Sequence, residues 1–468
     1  MSVEQVLVAV QVFFIAYFVL LNGGYLMLNL LSMFSLRSYM RQRAEYGTDA
    51  PYLGMEPPIS LLVPGYNEEA TIRTSVRSML QLQYPDFEVV VINDGSKDRT
   101  LEVLIEEFEL VPHPEVVRRA VPHKPIRGVY RSLRYGNLRV VDKENGGKAD
   151  ALNVGINLAR NGLFCAVDAD SILQRDSLLR VVQPFIEDER TVAAGGTVRI
   201  ANGSEVRGGF LVKSGLPANL IARMQIIEYL RAFLFGRLGW SPVNGVLIIS
   251  GAFGLFDRAR VEAVGGYRTD TVGEDMELVV RLHRWHRRQR IPYRIRYLPD
   301  PICWTEAPED LGTLGRQRSR WQRGLAESLM FHPPWRYGWR AGAAGYLAWP
   351  FMALFEWFGP LIELGGYVFM VVGFALGWVS PVAFTVFVAV AIGMGILLSV
   401  NGLLLETLSF RVYGRKRDML SLFAMAVLEN FGYRQLNTLW RCRGMWQWLS
   451  RRKHQWGAMK RSGQWGRM

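Results

Sequence analysis

The chain has 468 residues, enough for two or three domains, and half of them are hydrophobic. Its formal charge of +13 admits nucleic acid, anionic lipid or an anionic substrate as partners. Its three cysteines, Cys165, Cys303 and Cys442, have neither metal-ligand nor redox spacing, so a reducing compartment without disulfides is expected.

The first element is a membrane span. No charged residue occurs from Gln5 to Leu36, a stretch of 32 residues where about 20 suffice to cross a bilayer. The stretch is too long for a cleaved signal peptide and lacks a basic leader. Residues 1–36 are therefore expected to form one transmembrane helix.

Residues 37–330 have a different texture. "ISLLVPGYNEE" (59–69), "FEVVVINDGSKD" (87–98), "LRVVDKENGGKADALN" (138–153) and "LFCAVDADS" (163–171) each read as an apolar strand that ends in a polar turn. Amphipathic stretches separate them, which predicts an α/β domain with a mostly parallel sheet and helices on both faces. Segment 111–137, rich in Pro, His and Arg, interrupts the alternation and is expected to be an irregular surface excursion.

Ligands of such sheets bind beyond the carboxyl ends of the strands. Those ends carry Asn67-Glu68, Asn93-Asp94, Asp142 and Asp168-Ala169-Asp170. No dinucleotide fingerprint follows the first strand and no Walker-type Gly-Lys-Ser/Thr occurs, so the chemistry falls to the carboxylates. Asp168 and Asp170 share one face of a strand, and a divalent cation would relieve their repulsion while taking further oxygens from phosphate. A solvated acidic turn is the plain alternative, and the apolar "LFCAV" before it favours the metal. Asp94 ends a strand beside Gly95, which ordinary turn chemistry also explains. "GGKAD" (146–150) offers backbone N–H groups and Lys148 at a helix start, suited to a diphosphate or merely to a flexible turn.

"TVGEDMELVVRLHRW" (271–285) puts Glu274 and Asp275 in the first turn of a helix, which is favourable by itself. Facing a site, such a carboxylate can also take the proton of an attacking hydroxyl. His283 and His286 further along belong to a basic helix face rather than a metal site. "QRSRW" (317–321) then sets a Trp among basic residues just before the most apolar part of the chain.

A second charge-free stretch, Leu364 to Leu405, is broken by "GWVSP" (377–381). Within a membrane region of 331–440, it predicts crossings near 358–378 and 382–405. The basic segments "RSYMRQR" (37–43) and "RVYGRKR" (411–417) place 37 to about 340 in the cytoplasm. Segment 419–438 carries Glu429 and is expected to lie in the interface, and 441–468, including "RRKHQW" (451–456), to form a basic cytoplasmic tail. Glu356, Glu363, Glu406 and Glu429 should face protein, water or ligand. The basic residues cluster at span ends, where orientation and anionic lipid account for them, so no nucleic-acid partner is expected.

In that order, "PGYNEE", "NDGSKD", "GGKADALN", "DAD", "GED" and "QRSRW" resemble the motifs of the processive family-2 glycosyltransferases, the cellulose, hyaluronan, chitin and poly-N-acetylglucosamine synthases. The resemblance covers about 59–325 and implies a Rossmann-like GT-A domain joined to membrane and interfacial helices. It implies a UDP-sugar donor with Mg²⁺ or Mn²⁺. Asp94 and Lys148 would contact the nucleotide, and Asp168 and Asp170 the metal-bound diphosphate. Asp275, beside Glu274, would be the base, and Gln317, Arg320 and Trp321 the QxxRW set. Arg320 would neutralise the leaving diphosphate and Trp321 would carry the acceptor's terminal sugar.

The implied activity is inverting polymerisation of a β-linked polysaccharide, with UDP-N-acetylglucosamine the first donor expected and export the role of a multi-pass part in the inner (plasma) membrane. A single-addition transferase to a lipid or lipid carrier is the alternative, and a non-enzymatic sugar-binding membrane protein a more remote one. Many relatives have two spans before the catalytic domain where this sequence has one. No regulatory domain is expected after 440. A closed channel would then require a homo-oligomer or an accessory export protein, or no channel forms at all.

Overall fold

The computed structural model describes residues 2–46, 54–336 and 340–450; the basic segment 451–456 lies outside them. Helix α1 (Val3–Tyr46) is continuous over 44 residues. At about 1.5 Å per residue it is roughly twice as long as a hydrocarbon core is thick. The expected boundary at residue 36 is therefore no break. The last turns run on to the α/β domain, where Arg43 pairs with Asp300 at 2.9 Å and Tyr39 bonds the same carboxylate. Arg180 donates at 2.8 Å to the same Asp300 oxygen as Arg43 while Tyr39 donates to the other, so both oxygens of the buried carboxylate are paired.

The domain that follows runs β1 (Ile59–Gly65), α2 (Ile72–Met79), β2 (Phe87–Asn93), α3 (Thr100–Phe108), β3 (Leu110–Pro112), β4 (Ile126–Ser132), β5 (Leu138–Lys143), α4 (Lys148–Leu158), β6 (Leu163–Val167), β7 (Ile172–Leu173), α5 (Ser177–Glu187) and β8 (Thr191–Ile200). A two-stranded hairpin, β9 (Glu205–Arg207) and β10 (Phe210–Lys213), precedes α6 (Leu220–Tyr229), β11 (Phe253–Asp257), α7 (Arg258–Ala263), α8 (Glu274–Gln289), β12 (Arg294–Thr305) and α9 (Leu311–Phe331).

One ten-stranded sheet has the order β3-β4-β5-β2-β1-β6-β11-β8-β12-β7. Its centre, β5-β2-β1-β6, is parallel, as the alternating apolar runs require. β11 enters antiparallel beside β6, so the direction reverses next to the "DAD" strand end. Segment 111–137 is not wholly irregular. It contains β4 and the end of β3, paired antiparallel at the sheet edge, and their charged residues Arg127 and Arg131 suit an exposed edge. Helix α4 is buried from Ala149 to Leu158, and a Cβ on its Gly155 would lie 3.1 Å from Leu62 of β1.

The membrane part contains α10 (Trp349–Phe351), α11 (Gly359–Ala375), α12 (Pro381–Val388), α13 (Met394–Ser409), α14 (Lys416–Leu428) and α15 (Tyr433–Leu449). Among the described residues, Val3–Ala44 and Pro381–Ser409 are long and apolar enough to cross a membrane. A third crossing counts if Ala344–Trp357 and Gly359–Ala375, bent by 44°, are one span. Pro360 at the start of α11 removes a helical N–H at that bend.

Residue 441 begins no tail, because it lies inside α15, and 441–449 lie against α9. Ser319 donates to the Trp440 carbonyl at 2.9 Å, and Gly444 sits where any side chain would strike the Ser319 carbonyl. All four membrane-side glutamates face protein. Glu429 accepts from Arg231 at 2.6 Å, Glu356 pairs with Arg441 at 2.7 Å, Glu406 faces Arg199 at 3.9 Å, and Glu363 is half-buried near Arg441 and Arg434.

Candidate active site

The first two strand-end loops are stitched together. Asn67 takes a left-handed conformation (φ 55°), which Asn tolerates well. Its N–H donates to Ser96 at 3.0 Å, and its side-chain oxygen accepts from the Lys97 N–H at 2.8 Å. Glu68 N–H donates to Thr100 at 2.9 Å. "PGYNEE" and "NDGSKD" therefore form one rigid rim.

Asp94 is buried under that rim. Its carboxylate accepts from Lys143 at 2.6 Å, from the N–H groups of Gly146 and Gly147 at 2.9 and 2.7 Å, and from Asn145 at 3.2 Å. Both oxygens are thus occupied in holding the loop that starts α4. Gly147 has φ 88°, a conformation that favours glycine, and this turn sets Lys148 at the helix start.

Lys148 points across the cleft. Its ammonium is ion-paired with Asp168 and donates to the Gly251 carbonyl at 3.0 Å. Burial alone would lower its proton affinity, but Asp168, Glu274 and Asp275 reverse the sign and raise it. Gly251 belongs to "ISGAFGLF" (249–256), and its N–H donates to Asp275 at 3.1 Å. Asp168, Lys148, Gly251 and Asp275 thus form one chain of contacts. Asp170, two residues on, lines a neighbouring cleft with Thr71, Ser171 and Glu306.

Glu274 and Asp275 open α8. The Met276 N–H donates to Asp275 at 2.8 Å, as a helix N-terminus favours. Lys148, Ser250, Gly251, Tyr267, Glu274 and Asp275 are among the residues around one small cleft. Burial pushes the Glu274 carboxyl up to about 7, with Lys148 opposing and Asp275 adding to the rise. Arg320 is near enough to lower it slightly, which brings the "QRSRW" helix to the same site.

Helix α9 carries the loop before α8. Glu327 accepts from the Thr271 hydroxyl at 2.8 Å and the Val272 N–H at 2.9 Å, while Ser328 donates to the Gly273 carbonyl at 3.3 Å. Gly273 and Gly324 lie backbone to backbone, since a Cβ on Gly273 would be 2.8 Å from the Gly324 Cα. On the same helix Trp321 is 44% exposed. The guanidinium over its ring is that of Arg318, at 4.3 Å, one turn away on the helix. Gln317 accepts from Arg318 at 2.6 Å.

Of the residues singled out in the sequence, Lys148, Asp168, Glu274 and Asp275 meet in one place, with Arg320 in electrostatic reach. His283 and His286 do not join them: His283 is buried between Tyr293 and the Val246 carbonyl, and His286 bonds the Leu282 carbonyl. The sequence reading passed over the α9 strap (Gly324, Glu327, Ser328) and Arg318. Only Arg318 left a signal, as the second letter of "QRSRW".

Two family patterns match the chain. "Glycosyl transferase family 2" matches residues 60–209, and "Glycosyl transferase family group 2" matches residues 163–399, just over half the chain. The chain belongs to glycosyl transferase family group 2. Curated relatives include poly-beta-1,6-N-acetyl-D-glucosamine synthase of Staphylococcus epidermidis, 30% identical over 273 residues. The enzyme of the same name from Staphylococcus aureus (strain COL) is 33% identical over 275 residues. Each match covers 58% of this chain and 55% of the relative, so the chain spans about half the length of the curated relatives it matches. Among solved structures, the mannosyltransferase PcManGT from Pyrobaculum calidifontis, in complex with GDP-Man and Mn²⁺, aligns with a TM-score of 0.51 and 18% identity. That alignment covers 88% of this chain and 99% of PcManGT and establishes the GT-A-like fold.

Proposed function

We propose that the chain polymerises N-acetylglucosamine from UDP-N-acetylglucosamine into a β-linked polysaccharide at a membrane, with inversion at the anomeric carbon. The observation that carries this reading is the convergence of Lys148–Asp168 with Glu274–Asp275 beneath the helix that bears Arg320 and Trp321. A phosphate-neutralising side, a basic carboxylate and an exposed aromatic platform are what glycosyl transfer from a nucleotide sugar needs. The donor and the linkage come from the staphylococcal relatives named above.

In this reading the acceptor hydroxyl attacks the anomeric carbon of the donor. The new C–O bond forms as the bond to the diphosphate breaks, and UDP leaves with the electron pair. Asp275, held by the N–H groups of Gly251 and Met276, takes the hydroxyl proton. Lys148 and Arg320 carry positive charge on the leaving-group side. Asp94 acts beneath the nucleotide by fixing the Lys148 loop.

Asp168 and Asp170 fit a divalent cation by the chemistry of their donor set. They supply two carboxylates at one strand end, and no group of three or more His, Cys, Asp or Glu that could hold a metal occurs among the described residues. Such a pair suits Mg²⁺ or Mn²⁺ completed by phosphate oxygens, and the cation would supply charge neutralisation to the diphosphate. The basic segments 37–43 and 411–417 put the catalytic domain on the cytoplasmic side. In this reading the product passes to the membrane part, and a homo-oligomer or an export partner completes its exit where one is required.

The test uses the chain purified in detergent with Mn²⁺ or Mg²⁺ and a panel of UDP-sugars, with Asp275→Asn alongside. UDP release and a polymer from one donor, both lost in the variant, are expected. A product carrying a single added sugar would replace this reading with transfer to a lipid or lipid carrier.

A further inference from the structure

Arg318 is not part of the Gln317, Arg320, Trp321 set, yet it is more deeply buried than any of the three. It is 3% exposed and lies over the indole at 4.3 Å. It donates to Glu228 of α6 at 2.8 Å and to Gln317 at 2.6 Å. Glu228 also accepts from the Tyr433 hydroxyl at 2.7 Å and from Asn437 at 3.3 Å, both on α15. The next residue of α6, Tyr229, brings its ring to 6.5 Å from the Trp321 ring. Three elements distant in sequence thus converge behind one half-exposed indole.

A buried ion pair is costly to desolvate, and apolar residues of the same volume would stabilise these helices at least as well. The pair therefore needs another reason. A guanidinium fixed against one face of an indole orders the ring and leaves the rest of it for a ligand. The carboxylate fixes the guanidinium, and α15 fixes the carboxylate.

We propose that Arg318 and Glu228 are positioning residues that fix the indole of Trp321, where the reading above seats the acceptor's terminal pyranose, in the place set by the docking of α15. This rests on the glycosyltransferase reading above. Neither residue touches the reacting atoms. Their effect falls on acceptor affinity and product length, and not on the donor.

The test measures binding of a β-linked N-acetylglucosamine oligosaccharide, and separately of UDP, to the detergent-purified chain by calorimetry. Glu228→Gln, Arg318→Met and Tyr433→Phe are compared with wild type, and product length is read wherever a polymer forms. Oligosaccharide affinity should fall roughly fivefold to thirtyfold in Arg318→Met and Glu228→Gln, the range of a desolvated cation–π contact, and less in Tyr433→Phe. UDP affinity should stay within twofold, and the polymer should shorten. Arg318→Lys keeps the charge without the planar fork and should recover only part of the loss.

Tyr433→Phe removes one hydroxyl and keeps the test open if the charge variants fail to fold. Equal losses of UDP and oligosaccharide affinity would make the network merely structural. Unchanged oligosaccharide affinity in folded variants would overturn the proposal while leaving the enzyme reading intact. An oligosaccharide that does not bind wild type overturns the platform. Absence of UDP release from every donor overturns the enzyme reading separately.

Discussion

Gly273 and Gly324 are in contact through their backbones: a Cβ on either would lie 2.8 or 2.9 Å from the other's Cα. That contact is why the "GED" turn and the "QRSRW" helix can share a site. Neither neighbour is a flexible side chain, so a methyl group at either position must push the two elements apart. Overpacking of this kind costs about 1–3 kcal/mol. A shift of about 1 Å at a reacting centre can lower a rate by roughly a hundredfold. Gly273→Ala and Gly324→Ala should each lower the thermal midpoint and reduce UDP release tenfold or more. Gly162→Ala, whose Cβ meets nothing within 4 Å, should change neither. Near-wild-type turnover in both contact variants would show that the spacing is not needed.

Lys148 and Asp168 are ion-paired, so the ammonium competes with any cation for that carboxylate. Lys148→Met should bind Mn²⁺ more tightly than wild type when no nucleotide is present, as read by electron paramagnetic resonance. The same variant should bind UDP more weakly, because a charge facing the diphosphate is gone. Unchanged Mn²⁺ affinity would mean that Lys148 does not guard the acidic pair.

The parallel centre of the sheet was legible because buried strands such as "ISLLVPG" and "FEVVVIN" are nearly uninterrupted apolar runs. The four charged residues that meet in the cleft were legible because each sits at a strand end or a helix start. Contacts set by tertiary approach were not. Gly324 is an ordinary letter inside a helix until Gly273 lies against it, and Glu228 reads as a surface acid until Arg318 and Tyr433 reach it. Helix α15 was read partly as tail because the short stretch beyond residue 440 ends in the basic run "RRKHQW". Its side chains are divided: Arg441 bonds Gln322 of α9, Trp448 packs on Trp357 and Trp446 is exposed, so no apolar stripe results.

Glu429 ties the membrane part to the catalytic domain. It is buried and accepts from Arg231 at 2.6 Å and from Ser399 of α13 at 2.5 Å. Removing one partner of a buried pair typically costs about 3–5 kcal/mol. Arg231 keeps some solvent access, so the lower end applies. Glu429→Ala should therefore lower the thermal midpoint clearly, and Glu429→Gln, which can still accept, should lower it less. An Ala variant as stable as wild type would show that water replaces the carboxylate.

Glu274 predicts a pH dependence whose sign follows from its environment. Burial, with Asp275 adding to it, raises the carboxyl from 4.5 to about 7 against the pull of Lys148. Between those values the folded chain holds a proton that the unfolded chain has lost. Stability from this group is then highest below about pH 4.5, falls as pH rises, and levels off above about pH 7. Glu274→Gln removes that slope, so the gap in thermal midpoint should move in favour of the variant from pH 5 to pH 8. The same ionisation sets a second negative charge beside Asp275, facing the donor diphosphate. The ratio of wild-type to variant UDP affinity should therefore fall across pH 7, and taking the ratio cancels the titration of UDP itself. A ratio flat from pH 6 to pH 8 would mean that Glu274 is already ionised at pH 6, and that Lys148 outweighs burial.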